Sequence, residues 1–122
     1  MITIKENVKK GSGFDAAHEF EGWKIAYITH AEQYGELKVV KRHVETDEVF
    51  ILLDGEATLY TADGDEPLIK THLEKGKLYV VEKNTWHHLK ATDKAVLIVI
   101  ENSNTNRENT QTKTVFNLKG EE

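Results

Sequence analysis

The stretch GELKVVKRHVETDEVFILLDG, residues 35–55, decides the predicted fold. It contains two short runs rich in β-branched and large apolar residues, 37–44 and 48–53, separated by a polar turn. Short runs of this kind are typical of half-buried β-strands, because branched and aromatic side chains pack well on a pleated surface. The Asp54-Gly55 pair that ends the stretch favours a tight turn, which we expect to be a two-residue hairpin.

The same pattern continues over most of the chain. Six further short apolar runs are separated by Gly, Asn and Asp turn signals: residues 23–29, 57–61, 68–73, 78–82, 86–91 and 95–101. No long window shows the 3.6-residue period of a helix, and residues 15–20 could form at most one or two helical turns. Short strands without connecting helices predict an all-β fold, a sandwich or barrel, rather than a parallel α/β sheet.

Length and composition exclude several classes of protein. The chain has 122 residues, enough for one domain with a single core, and it contains no cysteine for disulfides, thiolate ligands or nucleophilic catalysis. Its 16 Lys plus Arg against 21 Asp plus Glu give a net charge of −5, so we expect neither nucleic acid nor membrane as a partner. The longest apolar run is too short to span a bilayer, and no signal peptide is recognisable, so we expect a soluble cytoplasmic protein.

The two ends of the chain lie outside these runs. Residues 1–22 are predicted to form an N-terminal arm, in which residues 2–8 could add an edge strand. Residues 102–114 contain no apolar side chain, so they predict an exposed connection. The apolar segment 115–118 could pack on its own barrel, pack on a neighbouring copy, or form a disordered tail. The barrel itself is expected over 23–101, followed by a C-terminal segment over 102–122.

Two of the six histidines, His43 and His87, have sequence neighbours that indicate a functional site. Strand alternation puts Lys41 and His43 on the same face as two apolar residues, which directs both inward. His87 is expected inward for the same reason, and its neighbour His88 outward. Glu48 opens a run with two apolar faces, so periodicity leaves its direction open; if buried, it needs a basic side chain or a metal. The remaining histidines are expected to lie at the surface or make hydrogen bonds: His18, His30 and His72.

The spacing of these residues resembles the cupin family of small jelly-roll barrels. The first cupin motif consists of Gly, five residues, His-x-His, three or four residues, Glu, six residues and Gly. In this sequence Gly35 opens the motif and Gly55 closes it. Lys41 stands at the first His, His43 at the second and Glu48 at the carboxylate.

The second cupin motif consists of Gly, five residues, Pro-x-Gly, two residues, His, three residues and Asn. Gly76 opens it and His87 stands at the His. Glu82, Asn84 and Ala91 stand where Pro, Gly and Asn are usual. Asn is a tolerable substitute for Gly, because it adopts a positive φ more readily than other residues with a side chain.

The resemblance covers residues 23–101 and implies a small single-domain cupin of the RmlC-like superfamily, with a double-stranded β-helix or jelly-roll barrel. It implies a divalent-metal site of His43, Glu48 and His87, since the lysine removes the family's fourth ligand. Two His and one carboxylate suit Fe(II) and also accommodate Zn, Mn or Ni. Lys41 is the candidate catalytic residue, as a neutral base, a fourth ligand, or a cation that holds an anionic substrate.

Three functions remain open from the sequence. The first is a metal-binding cupin with a small-molecule pocket, which could be an enzyme acting on a small anionic or sugar-like substrate. The second is a metal-free ligand-binding or sensory module, in which Lys41 neutralises Glu48 and acts with Arg42 to select an anionic ligand. The third is a structural dimer without catalysis. We also expect a homodimer, because an open jelly roll presents sheet edges and segment 115–118 could cover one.

Overall fold

The computed structural model describes residues 1–6, 13–106 and 108–115. Within these ranges ten β-strands form two five-stranded antiparallel sheets, which confirms the predicted all-β jelly-roll barrel. In chain order the strands are β1 (Phe14–Phe20), β2 (Trp23–Thr29), β3 (Val39–His43), β4 (Glu48–Asp54), β5 (Ala57–Asp63), β6 (Ile69–His72), β7 (Leu78–Val81), β8 (Thr85–Ala91), β9 (Val96–Asn102) and β10 (Thr110–Thr114). The first sheet has the order β1-β2-β9-β4-β7, and the second has the order β10-β3-β8-β5-β6.

All eight predicted strands are present, and β1 and β10 are additional. Residues 15–20 form strand rather than helical turns, because they pair with β2 as a hairpin. Thr110–Thr114 pairs with β3 along its whole length, so part of the predicted exposed connection is a sheet edge. Backbone groups form such ladders without apolar side chains, which hydropathy does not detect. Among the described residues, no helix is long and apolar enough to cross a bilayer.

The two ends of the chain make different contacts with the barrel. Residues 1–6 form no strand, and the rest of the predicted edge strand at 2–8 lies outside the described residues. Lys5 Nζ donates a 2.7 Å hydrogen bond to the carbonyl of Ala17 in β1. Val115 is buried against its own second sheet, and the rest of segment 115–118 lies outside the described residues. The division of the chain at 22/23 and 101/102 stays a prediction.

Apolar side chains lie in two clusters, one on each face of the second sheet. The first cluster lies between the sheets and takes residues from β2, β4, β7 and β9 on one side and from β5 and β8 on the other. The second cluster covers the opposite face of the second sheet and includes Val40, Tyr60 and Trp86. In β4 the buried residues alternate as Glu48, Phe50 and Leu52, so Glu48 points into the space between the sheets.

The Asp54-Gly55 turn does not form the predicted hairpin. β4 belongs to the first sheet and β5 to the second, so the turn carries the chain from one sheet to the other. Gly55 has a φ of +72°, and a Cβ placed there would lie 2.6 Å from the Cα of Ala95. Glycine is therefore required at this position by a close approach of two backbone segments as well as by the turn itself.

Gly55→Ala is expected to lower the free energy of unfolding by about 2–3 kcal/mol, since the positive φ alone costs about 1–2 kcal/mol and the methyl group also meets backbone. Gly64→Ala is the matched control, because Gly64 has a φ of +54° but no atom lies within 4 Å of where its Cβ would be. We expect about 1 kcal/mol for the control. Urea denaturation measures both losses, and equal losses would contradict the close approach at Gly55.

Candidate metal centre

Three side chains from separate strands converge between the two sheets. Glu48 lies on β4 of the first sheet, whereas His43 ends β3 and His87 lies on β8 of the second sheet. Glu48 Oε1 is 3.3 Å from His43 Nε2 and 3.1 Å from His87 Nε2. One potential ligand atom from each residue lies within 4.8 Å of the other two. The three predicted metal ligands therefore lie close enough to bind one ion.

Each imidazole of this group is held through its other ring nitrogen. His87 Nδ1 donates to the carbonyl oxygen of Thr85 at 3.0 Å, and His43 Nδ1 shares a 2.9 Å hydrogen bond with the Thr110 hydroxyl. Because a carbonyl oxygen can only accept, the neutral His87 ring has its hydrogen on Nδ1 and a lone pair on Nε2. Metal-ligating histidines are commonly oriented in this way.

Glu48 Oε1 is a buried oxygen without a hydrogen bond. Two imidazole nitrogens lie within 3.3 Å of it, but neither contact has hydrogen-bond geometry. When each ring carries its hydrogen on Nδ1, the Nε2 lone pairs face this oxygen and repel it unless a proton or a cation lies between them. Ligand atoms that share a Zn or Fe ion at about 2.0–2.2 Å lie about 3–3.5 Å apart. The donor set and its spacing therefore fit a divalent transition metal.

The electrostatics of Glu48 favour a bound cation. Burial raises the pKa of Glu48, but proton donation and positive charge from His43 and His87, when these rings carry a proton on Nε2, outweigh burial and lower the pKa to about 2. The side chain is therefore a carboxylate at neutral pH, although it is almost fully shielded from water. A buried carboxylate next to two imidazoles is a set of ligands that suits Fe, Mn, Ni or Zn.

Glu101 is a second buried carboxyl group, which no sequence motif singles out. It lies on β9 directly opposite Glu48 on β4, and both line the same cleft. Burial and the negative charge of Glu48 raise the pKa of Glu101 to about 7, although Lys24 Nζ lies 3.8 Å away. The signal for Glu101 is the alternation of β9, since Leu97 and Val99 share its inward face.

In the metal-free protein, Glu101 is expected to make the free energy of unfolding fall as pH rises from about 4.5 to about 7. Its raised pKa means that the folded chain binds this proton more tightly than the unfolded chain. The stabilising contribution is therefore complete below pH 4.5 and is lost as pH rises through 7. Solvent screening limits the loss to about 1–2 kcal/mol.

Glu101→Gln mimics the protonated form, so the variant should be more stable than wild type at pH 8 but not at pH 5. Urea denaturation with a chelator present measures the difference at both pH values. If the difference in the free energy of unfolding between variant and wild type did not change with pH, the raised pKa would not belong to Glu101.

The three-residue group lines an open cleft of about 910 Å³. This volume lies within the range of about 300–1,000 Å³ that is usual for small-molecule sites. Apolar walls come from Phe50 and Leu89. The polar groups around the cleft, apart from the three residues and Glu101, are His30, Glu32, Gln33, Tyr34, Glu36, Lys38, Lys41 and His88.

Lys41 lies at the cleft but outside the group of potential ligands. It is on β3 two residues before His43, and its Cα pairs with that of His87. Its side chain is exposed and lines the cleft. The role of Lys41 stays a prediction.

His88 lies on the outer face of β8, as alternation predicts: it pairs with Tyr60, and the two ring centres are 6.3 Å apart. It is also among the residues that line the cleft. Its Nε2 donates to the carbonyl of Gly35 at 2.9 Å, and burial lowers the pKa of the ring. The loop that follows β2 therefore reaches around to His88, which alternation within one strand does not reveal. Arg42 stacks over Trp86 at 4.5 Å and does not line the cleft, so it is poorly placed to select a ligand there.

Comparison with known proteins identifies the fold family. Residues 32–101 match the cupin domain family, which is more than half of the chain. A cupin-2 domain containing protein from Shewanella frigidimarina is 26% identical, with a TM-score of 0.58 over 77% of this chain and 83% of that chain. None of the curated proteins matches the chain.

Two more distant structures share the fold alone. An RmlC-like cupin family protein with a double-stranded β-helix fold from Methanocaldococcus jannaschii is 15% identical, with a TM-score of 0.59 over 84% of this chain and 89% of that chain. A variant of Streptomyces PAC13 with uridine is 12% identical, with a TM-score of 0.63 over 93% of each chain. With its two-sheet barrel and its family match, the chain belongs to the cupins.

Proposed function

We propose that the protein is a metal-dependent cupin that binds and transforms a small molecule in the cleft. His43, Glu48 and His87 are the proposed ligands of one divalent transition-metal ion. The observation that carries the proposal is the buried Glu48 Oε1, which faces two imidazole nitrogens at 3.1 and 3.3 Å without a hydrogen bond. Fe, Mn, Ni and Zn all suit this donor set.

The chain's own residues supply orientation and proton transfer. A bound metal ion would act as a Lewis acid there, or as a redox centre if it is iron. Thr85 and Thr110 hold the two imidazoles so that each Nε2 points at Glu48. Glu101 has a pKa raised to about 7, so its carboxyl group can hold a proton or release it to a molecule in the cleft. Phe50 and Leu89 keep one wall of the cleft apolar.

The lining of the cleft favours a small polar molecule with hydroxyl or anionic groups. Lys38 and Lys41 place two cations at the cleft, beside the carboxylates of Glu32 and Glu36, and Lys41 is the proposed anchor for an anionic group. His30, Gln33 and Tyr34 offer hydrogen bonds to hydroxyl or carbonyl groups. The structural relative from Streptomyces holds uridine, a small hydroxylated molecule, which supports a ligand of this class.

Lys41→His is expected to tighten metal binding by at least about ten-fold, because it adds a fourth ligand beside His43 and opposite His87. Isothermal titration or competition with a chelator at pH 7 should give one equivalent of metal for both wild type and variant. Lys90→His is the matched control, since Lys90 is an exposed residue of β8 on the outer face.

A wild-type chain that binds none of Fe, Mn, Ni and Zn would overturn the proposal and support the metal-free ligand-binding module. A Lys41→His variant with unchanged affinity would show that position 41 does not face the metal.

A further inference from the structure

One row of charged side chains crosses the inner face of the first sheet. Lys24 on β2 lies directly opposite Glu101 on β9, and Glu101 lies directly opposite Glu48 on β4. The next two rows across the same three strands consist of buried apolar residues: Ala26, Val99 and Phe50, then Ile28, Leu97 and Leu52. The charged row therefore lies beside an apolar surface, and its last member is a proposed metal ligand.

Each charged side chain of this row interacts with the next. Lys24 Nζ lies 3.8 Å from Glu101 Oε2, and the two side chains are only 23% and 9% exposed. Glu101 in turn faces Glu48 within the reach of a side-chain hydrogen bond. Lys24 Nζ also lies 5.8 Å from the centre of the Phe14 ring, which is a cation–π distance. The row therefore links a partly exposed cation to the buried carboxylate of Glu48.

The two imidazoles of the metal centre and its carboxylate differ in how they are held. Each imidazole is fixed through Nδ1 by a hydrogen bond with the main chain or the side chain of a threonine. Glu48 Oε1 has no hydrogen bond, so its direction depends on what contacts the rest of the side chain. Glu101 is the polar side chain directly opposite Glu48, and outer partners of this kind commonly orient ligating carboxylates.

Packing alone does not explain a carboxyl group at position 101. Glu101 is 7% exposed, and burial removes the hydration of a carboxyl group, which is unfavourable. The neighbouring Glu48 is a second buried carboxyl group, so the two repel each other when both are ionised. Val99 and Leu97 occupy the equivalent places in the next two rows without this cost. A role at the metal centre accounts for Glu101, whereas stability does not.

We propose that Glu101 and Lys24 are positioning residues of the metal centre: Glu101 holds the carboxylate of Glu48, and Lys24 holds Glu101. This inference rests on the proposed metal site. Among the described residues, the group whose potential ligand atoms lie within 4.8 Å of one another does not include Glu101. Lys24 carries an ammonium group, which has no lone pair to offer a metal. Both residues therefore act on the metal through Glu48.

The test measures the affinity of the full-length protein for Co(II) and the visible absorption spectrum of the loaded protein. Glu101→Ala should lower the affinity about 10–100-fold, as loss of an outer partner of a metal ligand does. It should also shift the absorption bands at saturating Co(II), because a carboxylate that turns changes the coordination of the ion. Glu101→Gln keeps the length of the side chain and a hydrogen-bonding end group, so its affinity and spectrum should stay close to those of wild type.

Lys24 gives the test a sign that charge alone would not produce. Removal of a nearby positive charge by itself favours a bound cation, so an effect of charge alone predicts tighter Co(II) binding by Lys24→Met. The positioning role predicts weaker binding, because Glu101 loses the ion pair that holds it. Lys24→Arg keeps a cation there and should bind as wild type does. Lys113→Met is the matched control, since Lys113 pairs with Asp65 at the same distance of 3.8 Å, and its affinity should not change.

The outcomes separate the positioning role from the metal site on which it rests. Wild type that binds none of Co, Fe, Mn, Ni and Zn would overturn both. If wild type binds Co(II) and a folded Glu101→Ala variant has the same affinity and spectrum, the positioning role alone is overturned. Equal losses in Glu101→Ala and Glu101→Gln would overturn it too. If Glu101→Ala does not fold, Lys24→Met decides: binding as tight as that of wild type, or tighter, would contradict the positioning role.

Discussion

Glu48→Gln is expected to lower the affinity of the protein for a divalent metal ion by more than about 100-fold, since loss of even an outer hydrogen-bonding partner costs about 10–100-fold. The substitution keeps the shape of the side chain but replaces a charged oxygen ligand by a neutral amide. Glu48 supplies the carboxylate of the three-residue group, and its Oε1 lies 3.1 and 3.3 Å from the two imidazole nitrogens.

Competition with a fluorescent chelator measures this loss for wild type and variant. Glu74→Gln is the control, because Glu74 is an exposed carboxylate paired with Lys77 and lies on another part of the barrel. The control should bind metal as wild type does. If Glu48→Gln kept its affinity within about three-fold of wild type, Glu48 would not be a ligand.

Metal binding is expected to raise the thermal stability of the wild-type chain substantially. At a free metal concentration about 1,000 times the dissociation constant, the free energy of unfolding should rise by about 4 kcal/mol. For a domain of this size that corresponds to an increase in Tm of more than about 10 °C. The effect arises because the unfolded chain does not hold the three ligands together.

His87→Ala should abolish this increase, because His87 is buried and its Nε2 points at Glu48. His72→Ala should retain it, since His72 is an exposed residue of β6 that pairs with Glu56. Calorimetric scans with metal and with chelator give the shift within each variant, so a lower Tm of the metal-free variant does not affect the comparison. An equal shift in His87→Ala and wild type would contradict the proposed ligand set.

The fold was largely predictable, because alternation and turn signals act locally. The eight predicted strands rest on short runs of β-branched and aromatic residues, and all of them form. Local sequence patterns do not predict strand pairing where tertiary contacts determine it. Asp54-Gly55 has hairpin chemistry, but the flanking strands pair with β9 and β8 rather than with each other. Thr110–Thr114 has no apolar residue, yet its backbone completes the edge of the second sheet.

The candidate site was partly predictable, because the spacing of the two motifs fixes which residues share an inward face. Asn84, which stands where Gly is usual, has a φ of +69°, so the left-handed backbone predicted there is present. Periodicity could not orient Glu48, because both faces of β4 are apolar and only the position of the second sheet distinguishes them. Glu101 and Thr110 reach the site through pairing with β4 and β3, which depends on sheet order rather than on local sequence.

The most direct test of the metal site is an anomalous-difference map from crystals grown with Mn, Fe, Ni or Zn, recorded at the absorption edge of that metal. We expect one peak at about 2.0–2.3 Å from His43 Nε2, His87 Nε2 and Glu48 Oε1. A peak that is bound only by exposed side chains such as His18 or His72, with none between the two sheets, would contradict a metal centre in this barrel.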